Sequence, residues 1–243
     1  MFSVYKKELQ SFFYTPFAYV VTALFMFLFT YMFNNSLGDL DNPVMQFTFP
    51  EIFYNVIFYF IFLLPILTMR TFADERKFGT EVLLMTSPVS VLQIILGKYF
   101  ANLTVFLFMI AGSSFFPIFT SMHGEVVMSQ LICAYIGFFA WGAMFIAIGM
   151  LVSSFTENSI IAAIIGEIVM FVFLFVDDFS QTDFISQYPA VKNFLYAFAA
   201  QPRFAFFSQG FIRLSDLVFF LSAIIICLSW NYIAIERRRW KRG

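Results

Sequence analysis

Six stretches of this sequence are long and apolar enough to cross a lipid bilayer. They cover residues 17–33, 52–69, 100–119, 131–152, 160–176 and 217–235. A helix rises about 1.5 Å per residue, so crossing about 30 Å of hydrocarbon takes about 20 mostly apolar residues. Charged residues make up only 12 % of the chain, and Glu167 is the one acidic or basic residue (Asp, Glu, Lys, Arg or His) within the six stretches. We therefore predict an all-α polytopic membrane protein, with residues 1–243 forming a single transmembrane domain of six helices.

The distribution of Lys and Arg predicts the orientation of these helices. An even number of spans places both termini on one side of the membrane. If that side is cytoplasmic, eleven basic residues lie inside and three outside. The eleven are Lys6, Lys7, Arg70, Arg76, Lys77, Lys98, Arg237, Arg238, Arg239, Lys241 and Arg242, and the three are Lys192, Arg203 and Arg213. Cytoplasmic loops carry the excess of positive charge, so we expect both termini in the cytoplasm.

Two of the segments outside the spans have an amphipathic or aromatic pattern. Residues 1–16 repeat apolar side chains at three- and four-residue steps and end in Thr15-Pro16, which predicts an interfacial helix rather than a frayed basic tail. Residues 177–216 combine acidic residues with many aromatics in runs too short to span. We expect this extracytoplasmic segment to form short re-entrant or interfacial helices before the last span, with a compact extracellular cap as the alternative.

The segment 70–98 is too polar to cross the membrane and too apolar for a linker. A first helix is predicted over about 70–85, with Asp74, Lys77 and Glu81 on one stripe where their spacing allows ion pairing. The Thr-Ser-Pro sequence ending at Pro88 should break it. Ser90 with Gln93 fits a capping box, which predicts a second helix that continues through Lys98 into the third span. This cytoplasmic helical segment offers a docking surface for a soluble partner.

Several chemistries are not supported by the motifs of the chain. The sequence has no phosphate-cradling G-x-x-x-x-G-K-S/T loop, no H-E-x-x-H pair and no G-x-S-x-G elbow, and it has a single histidine. We therefore predict no catalytic residues, no metal site and no cofactor in this chain. The basic tail after residue 235 is juxtamembrane, which favours anionic headgroups over nucleic acid as its contact.

Glu167 is the exceptional residue of the spans. A carboxylate in the middle of the membrane costs several kcal/mol of free energy if it faces lipid. Glu167 is therefore either part of a substrate or proton pathway or a neutral group that is hydrogen-bonded to a neighbouring helix. Ser159, Ala162, Ala163 and Gly166 lie on the same helix at a spacing that permits close approach of another helix. We expect this fifth span to pack through them, either within the chain or at a subunit interface.

Two stretches resemble a known family. Residues 64–90 (LPILTMRTFADERKFGTEVLLMTSPVS), together with Lys7-Glu8-Leu9, Phe12-Phe13 and the sequence PFAYVV over 16–21, are similar to the permease subunits of type-2 ABC exporters. Within that family they look like the gliding-motility-associated branch. Outside these two stretches the resemblance is one of layout.

The resemblance implies a function and a set of partners. Such permeases are multi-pass proteins of the prokaryotic cytoplasmic membrane, and they pair with a second permease chain, identical or related. A separate ABC ATPase dimer holds the ATP and magnesium and contacts the cytoplasmic coupling helix. The residues implied for that contact are Asp74, Glu75, Arg76, Lys77, Gly79, Thr80, Glu81 and Pro88.

Two other functions remain open on the sequence. An ion- or proton-coupled secondary transporter or channel would use Glu167 and need no ATPase. A non-transporting scaffold would use segment 70–98 only to recruit a soluble protein. Both of these functions are compatible with the missing nucleotide-binding, metal-binding and catalytic motifs.

Overall fold

The computed structural model describes residues 1–38, 49–82, 89–122, 126–182, 185 and 187–242. Within these ranges the chain forms α-helices and no strand. The helices are α1 (Phe2–Tyr14), α2 (Phe17–Gly38), α3 (Phe49–Thr68), α4 (Arg70–Lys77), α5 (Val91–Ser113), α6 (Phe115–Ser121), α7 (Met128–Phe155), α8 (Ser159–Ser180), α9 (Pro189–Ala197), α10 (Gln201–Ser208) and α11 (Leu214–Arg242).

The described residues contain six helical stretches that are long and apolar enough to cross a membrane. They are Phe17–Leu37, Glu51–Lys77, Val91–Ser121, Met128–Phe155, Ser159–Ser180 and Leu214–Arg238. Each contains most of one predicted span, so the predicted all-α polytopic fold is confirmed. The stretches run longer than the apolar runs because polar residues at their ends continue the same helices.

Helix α7 forms the centre of the bundle. Its Phe138, Trp141 and Phe145 side chains are completely buried. A Cβ atom at Gly142 would lie 2.2 Å from the Phe106 ring, so α5 approaches α7 too closely for any larger residue there. Phe60 on α3 packs edge-on against Phe138, with ring centroids 5.0 Å apart. Because lipid is as apolar as these side chains, such close packing, rather than exclusion of water, holds the helices together.

Helix α1 packs along the N-terminal part of α5. The Tyr5 hydroxyl lies 3.0 Å from Oγ1 of Thr104, and a Cβ atom at Gly97 would be 3.1 Å from Val4. The backbone at Thr15 is extended, and α2 begins after Pro16. The predicted helix in residues 1–16 is thus present, and its position in the membrane interface stays a prediction.

The helix predicted over 70–85 is wrong as one continuous helix, because it is interrupted at residues 78–80; residues 81 and 82 are helical again, and residues 83–85 lie outside the described residues. Helix α4 follows α3 with only Met69 between them, and it ends at Lys77 because Gly79 adopts the left-handed φ of 69°. Glu81 is therefore not one turn above Lys77, and the ion pairs expected along Asp74, Lys77 and Glu81 do not form. The predicted cap of α5 is confirmed, since Ser90 Oγ accepts a hydrogen bond from the Gln93 N–H. The predicted break ending at Pro88 lies outside the described residues.

Two short helices precede the last span. Helix α9 has no buried residue, whereas α10 inserts Phe204 and Phe207 into the core beside α3 and α7. A Cβ atom at Gly137 would lie 2.5 Å from Phe207, so this insertion depends on a glycine in α7. At the same end Arg203 forms an ion pair with the buried Asp216 at 3.1 Å. The short helices predicted within 177–216 are therefore present, although α8 extends through Asp177 to Ser180.

Candidate functional site at the basic end of the bundle

One end of the bundle gathers most of the charged residues around α4. We call it the basic end and define it by α1, α4 with the residues 78–82 that follow it, the first turns of α5, the α7–α8 connection and the last turns of α11. Ion pairs join these parts: Lys7 with Glu75 at 3.2 Å, Arg76 with Glu157 at 2.7 Å and Arg238 with Glu81 at 3.3 Å. The partners lie far apart in sequence, so the tertiary fold alone brings them together.

A buried lysine lies at the centre of one side of this site. The Lys98 side chain is 1 % exposed, and its Nζ lies 2.8 Å from Oε1 of Glu75 and 3.0 Å from Oε1 of Glu8. The ammonium also donates to the Thr71 carbonyl at 2.8 Å. This buried charge therefore has two hydrogen bonds, to Glu8 and to the Thr71 carbonyl, and ion pairs with both Glu8 and Glu75.

Lys7 completes a cluster of two cations and two carboxylates. Its Nζ lies 3.3 Å from Glu8 and 3.2 Å from Glu75, at the solvent-exposed edge of the cluster. Burial alone would raise the pKa of Glu8, but the charges of Lys98 and Lys7 outweigh it, and the pKa is lowered. Burial would likewise lower the pKa of Lys7, but Glu8 and Glu75 raise it. Both shifts favour the charged forms of Glu8 and Lys7, and the ion pairs of the cluster fasten α1 to both α4 and α5.

The other side of α4 is bound to the end of α7. Ser153 Oγ accepts hydrogen bonds from the N–H groups of Phe72 at 3.1 Å and Ala73 at 3.2 Å, and it donates to the Met69 carbonyl at 2.8 Å. The first N–H groups of a helix have no partner within it, and no side chain at Met69 caps α4. A buried serine on another helix therefore supplies the cap.

Two arginines meet at the Ser154 carbonyl in the last turn of α7. Arg76 donates to this oxygen at 3.2 Å, and Arg238 donates to it as well. Positive side chains at a helix C-terminus interact favourably with its dipole and satisfy carbonyls that lack helical partners. Through these contacts α4 and α11 are both attached to α7.

The end of α4 projects from these contacts. Lys77, Phe78, Gly79 and Thr80 are all exposed, and Phe78 exposes 71 % of its surface. A Cβ atom at Gly79 would meet no atom of the described residues within 4 Å, so the turn is open towards that part of the chain. We call Lys77 and the turn that follows it, residues 77–80, the tip of α4.

The structure divides the residues predicted for ATPase coupling into two groups. Glu75, Arg76 and Glu81 are largely buried and paired within the chain, and Asp74 pairs with Arg70 at 3.6 Å. Lys77, Gly79 and Thr80 lie in the exposed tip. Pro88 lies outside the described residues. Only the tip group presents its side chains outward.

The fifth span packs inside the chain through its small residues. Ala162, Ala163 and Gly166 are buried, Ser159 begins the helix, and a Cβ atom at Gly166 would lie 3.3 Å from Pro65 on α3. Glu167 is partly exposed, and its carboxylate has no hydrogen bond or ion pair with any other described residue. Gly166 therefore lies against α3, and the role of Glu167 stays open.

Sequence reasoning missed half of the charge network. Glu8, Lys98, Ser153, Glu157 and Arg238 were not predicted as site residues. Only Lys98 could have been suspected from the sequence, because it is a charged residue in a predicted helix that continues directly into an apolar span. Apart from the adjacent pair of Glu8 and Lys7, the others lie 80 or more residues from their partners, and no local spacing relates them.

Comparison with known proteins adds no identification. No protein-family model matches the chain, and no curated protein is significantly similar to it in sequence. Within the described ranges, no three His, Cys, Asp or Glu side chains are grouped so that they could hold a metal ion.

Proposed function

We propose that this chain is the transmembrane permease subunit of an ATP-driven ABC exporter. In this role it moves a substrate outward across the membrane, while a separate ATPase subunit hydrolyses ATP. The six-span architecture, the geometry of α4 and the family resemblance of residues 64–90 support the proposal.

The observation that carries the proposal is the contrast between the two ends of α4. Its tip is exposed and carries a large apolar side chain, Phe78. Its body is bonded to α1 and α5 through Glu75 and to α7 through Ser153 and Arg76. A helix attached on several sides and exposed at its tip is suited to transmit force from a soluble partner to the spans.

The mechanism follows from these attachments. Closure of the ATPase dimer pushes on the tip, and α4 transfers the movement to α3, with which it is nearly continuous. The Glu75–Lys98–Glu8 contacts move α1 and α5 with it, and the bonds to Ser153 and Ser154 move α7. The spans then rock around a path between two permease chains, with no catalytic residue or cofactor needed in this chain.

The proposal includes a location and a set of partners. We place both termini in the cytoplasm of a prokaryote, with the basic end on that side, in keeping with the excess of Lys and Arg there. The partners are an ABC ATPase dimer, a second permease chain of the same or a related sequence, and the lipid bilayer. Nucleic acid is not among them.

A site-specific cross-link tests the proposal. A photoreactive amino acid replaces Phe78 in the tagged full-length chain, expressed in its own cell, and the cross-linked product is identified by mass spectrometry. Phe2 is the matched control, because it is an equally exposed phenylalanine at the same end but in α1, with 75 % of its surface exposed. We expect position 78, and not position 2, to capture a protein with a G-x-x-x-x-G-K-S/T loop.

Two results would reject the proposal. Capture of a soluble protein without a nucleotide-binding loop would favour the scaffold. Cross-links from position 78 to lipid alone would place the tip in the membrane and exclude the coupling role.

One observation supports a second candidate. Glu167 is a partly exposed carboxylate in a span, with no partner among the described residues. Such residues often mark ion or proton pathways. An ion- or proton-coupled transporter or channel is therefore the alternative, and it predicts activity without any ATPase.

A further inference from the structure

A groove lies beside the last turns of α11 at the basic end. Its volume is about 1050 Å³, and it is lined by Phe155 at the end of α7 and by residues 230, 232–234 and 236–238 of α11. The exporter mechanism makes no use of this groove.

The floor of the groove is apolar and uncovered. Trp230 exposes 62 % of its surface and Phe155 exposes 58 %, and Ile233 lies beside them. Adjacent exposed side chains of this size indicate contact with another molecule or with lipid chains. Since α11 is a span, hydrocarbon is the surrounding medium at this depth.

One end of the groove carries an outward-facing cation. Arg237 is exposed, whereas the neighbouring Arg238 is bound to Glu81 and to the Ser154 carbonyl. Glu236 also lines the groove and is already engaged in another interaction. Residues 236–242 contain five basic residues and this one acid, so the segment is strongly positive.

The spacing of these residues matches an amphipathic ligand. Trp230 and Arg237 are seven residues apart, so they lie on one face of α11, about 10 Å apart along its axis. A molecule that binds both needs an anionic group at one end and a hydrocarbon chain at the other. Free phosphate would satisfy only the arginine and leave the apolar floor uncovered.

A second groove on α11 provides a contrast. Its volume is about 820 Å³, and it is lined by Val91, Leu92, Leu228 and Ile233, among others, with no basic residue among the described lining residues. The second groove therefore offers a lipid an apolar surface but no positive charge. Because Arg237 lines the first groove, that groove can distinguish an anionic lipid from a neutral one.

We propose that the groove beside Trp230 binds an anionic phospholipid of the adjacent leaflet. Its phosphate pairs with Arg237, and its acyl chains cover Phe155 and Trp230. Phe155 directly follows Ser154, the residue whose carbonyl binds Arg76 and Arg238. The lipid therefore lies next to the attachment of α4, and the site is independent of whether the chain works with an ATPase.

Quenching of Trp230 fluorescence tests the site directly. The full chain carrying Trp240→Phe is reconstituted in phosphatidylcholine vesicles with acyl-brominated phosphatidylglycerol or acyl-brominated phosphatidylcholine. Trp141 is completely buried and provides the unquenched background. We expect half-maximal quenching at about fivefold lower mole fraction of the anionic lipid, as for one basic residue near an anionic surface.

Three variants identify the cation. Arg237→Gln should abolish the preference for the anionic lipid, and Arg237→Lys, which keeps the charge, should retain most of it and show that the fold survives. Lys6→Gln removes one exposed positive charge from the same end and should change nothing.

Three results would overturn the proposal. These are equal quenching by the two lipids, a preference that survives Arg237→Gln, or loss of the preference when inorganic phosphate is added, which would identify a free-anion site.

Discussion

The Nζ atom of Lys98 on α5 lies 2.8 Å from Oε1 of Glu75 on α4, and the lysine side chain is 1 % exposed. The same ammonium reaches Glu8 on α1, so one buried charge joins three helices. Breaking such a pair by removing one partner leaves an uncompensated buried charge. The pair is therefore the place where a single substitution should loosen the basic end most.

We expect Lys98→Met to destabilise the protein by about 3 kcal/mol, since Glu8 and Glu75 would then be left buried without their main partner. Lys7→Met is the control, because Lys7 touches the same carboxylates but is mostly exposed, and its loss should amount to less than about 1 kcal/mol. Thermal unfolding in detergent micelles measures both. Adding Glu75→Gln to Lys98→Met should recover part of the loss, and equal effects of the two lysines would contradict the assignment.

The attachment of α1 should weaken in acid. The pKa of Glu8 is lowered from its ordinary 4.5, so its contribution is complete above that pH and is lost as the pH falls below it through the folded-state pKa. The pKa of Lys7 is raised from 10.5, so its contribution is complete below that value and is lost above it. The protection of the α1 amides, that is, their hydrogen exchange relative to the intrinsic rate at each pH, should therefore change little between these limits. Glu8→Gln should remove the acid-side part of the dependence, and an unchanged profile in this variant would refute the role of Glu8.

Gly79→Ala should destabilise the tip of α4 by about 1 kcal/mol. The residue has a φ of 69°, which non-glycine residues adopt at a cost, while an added Cβ would meet no atom of the described residues within 4 Å. Gly79→Asn should cost less, because Asn tolerates the left-handed region. Gly142→Ala is the opposite case, because its Cβ would lie 2.2 Å from Phe106, and we expect a much larger loss. Chemical unfolding should give the smallest loss for Gly79→Asn, a larger one for Gly79→Ala and the largest for Gly142→Ala. A loss for Gly79→Ala as large as that for Gly142→Ala would argue against an open turn.

Ser153→Ala should loosen the start of α4 without unfolding the bundle. The substitution removes the only side-chain acceptor that the described structure provides for the Phe72 and Ala73 amides, at a cost of about 1–2 kcal/mol. We expect faster hydrogen exchange at these two amides. Ser222→Ala is the control, since this exposed serine bonds only to its own helix, and its exchange profile should match that of the unmodified chain. Protection of both amides in Ser153→Ala would show that the serine does not cap α4.

Glu167→Gln separates the exporter from the ion-coupled alternative. The chain reconstituted alone in vesicles should show no proton uptake that depends on Glu167, as followed with a pH-sensitive dye. The variant should also fold normally, because the carboxylate has no partner among the described residues. Proton or ion flux without an ATPase, lost in Glu167→Gln, would instead establish the alternative.

The local features of the fold were predictable because each is encoded in consecutive residues. Run length and short-range hydrogen bonding were enough to predict three of them: the six apolar runs, the break at Thr15-Pro16 and the Ser90–Gln93 cap. The end of α4 was mispredicted for a related reason. The apolar residues after Gly79 suggested a longer helix, but the left-handed glycine ended it.

By itself, the sequence determined the class of the protein, the number of its candidate spans and the connections in which positive charge accumulates. Only the tertiary structure decided which charges are paired and which face outward. In a membrane both the core and the lipid are apolar, so the periodicity of a span does not reveal which face packs against other helices. The contacts of Lys98, Arg76 and Arg238 join residues between 23 and 157 positions apart. The burial that strengthens the Lys98 and Arg238 pairs is likewise not recorded in any stretch of the sequence. The tip of α4 differs from the body of the helix in exposure, because in the tertiary structure Phe78 is exposed while Glu75 and Arg76 are largely covered.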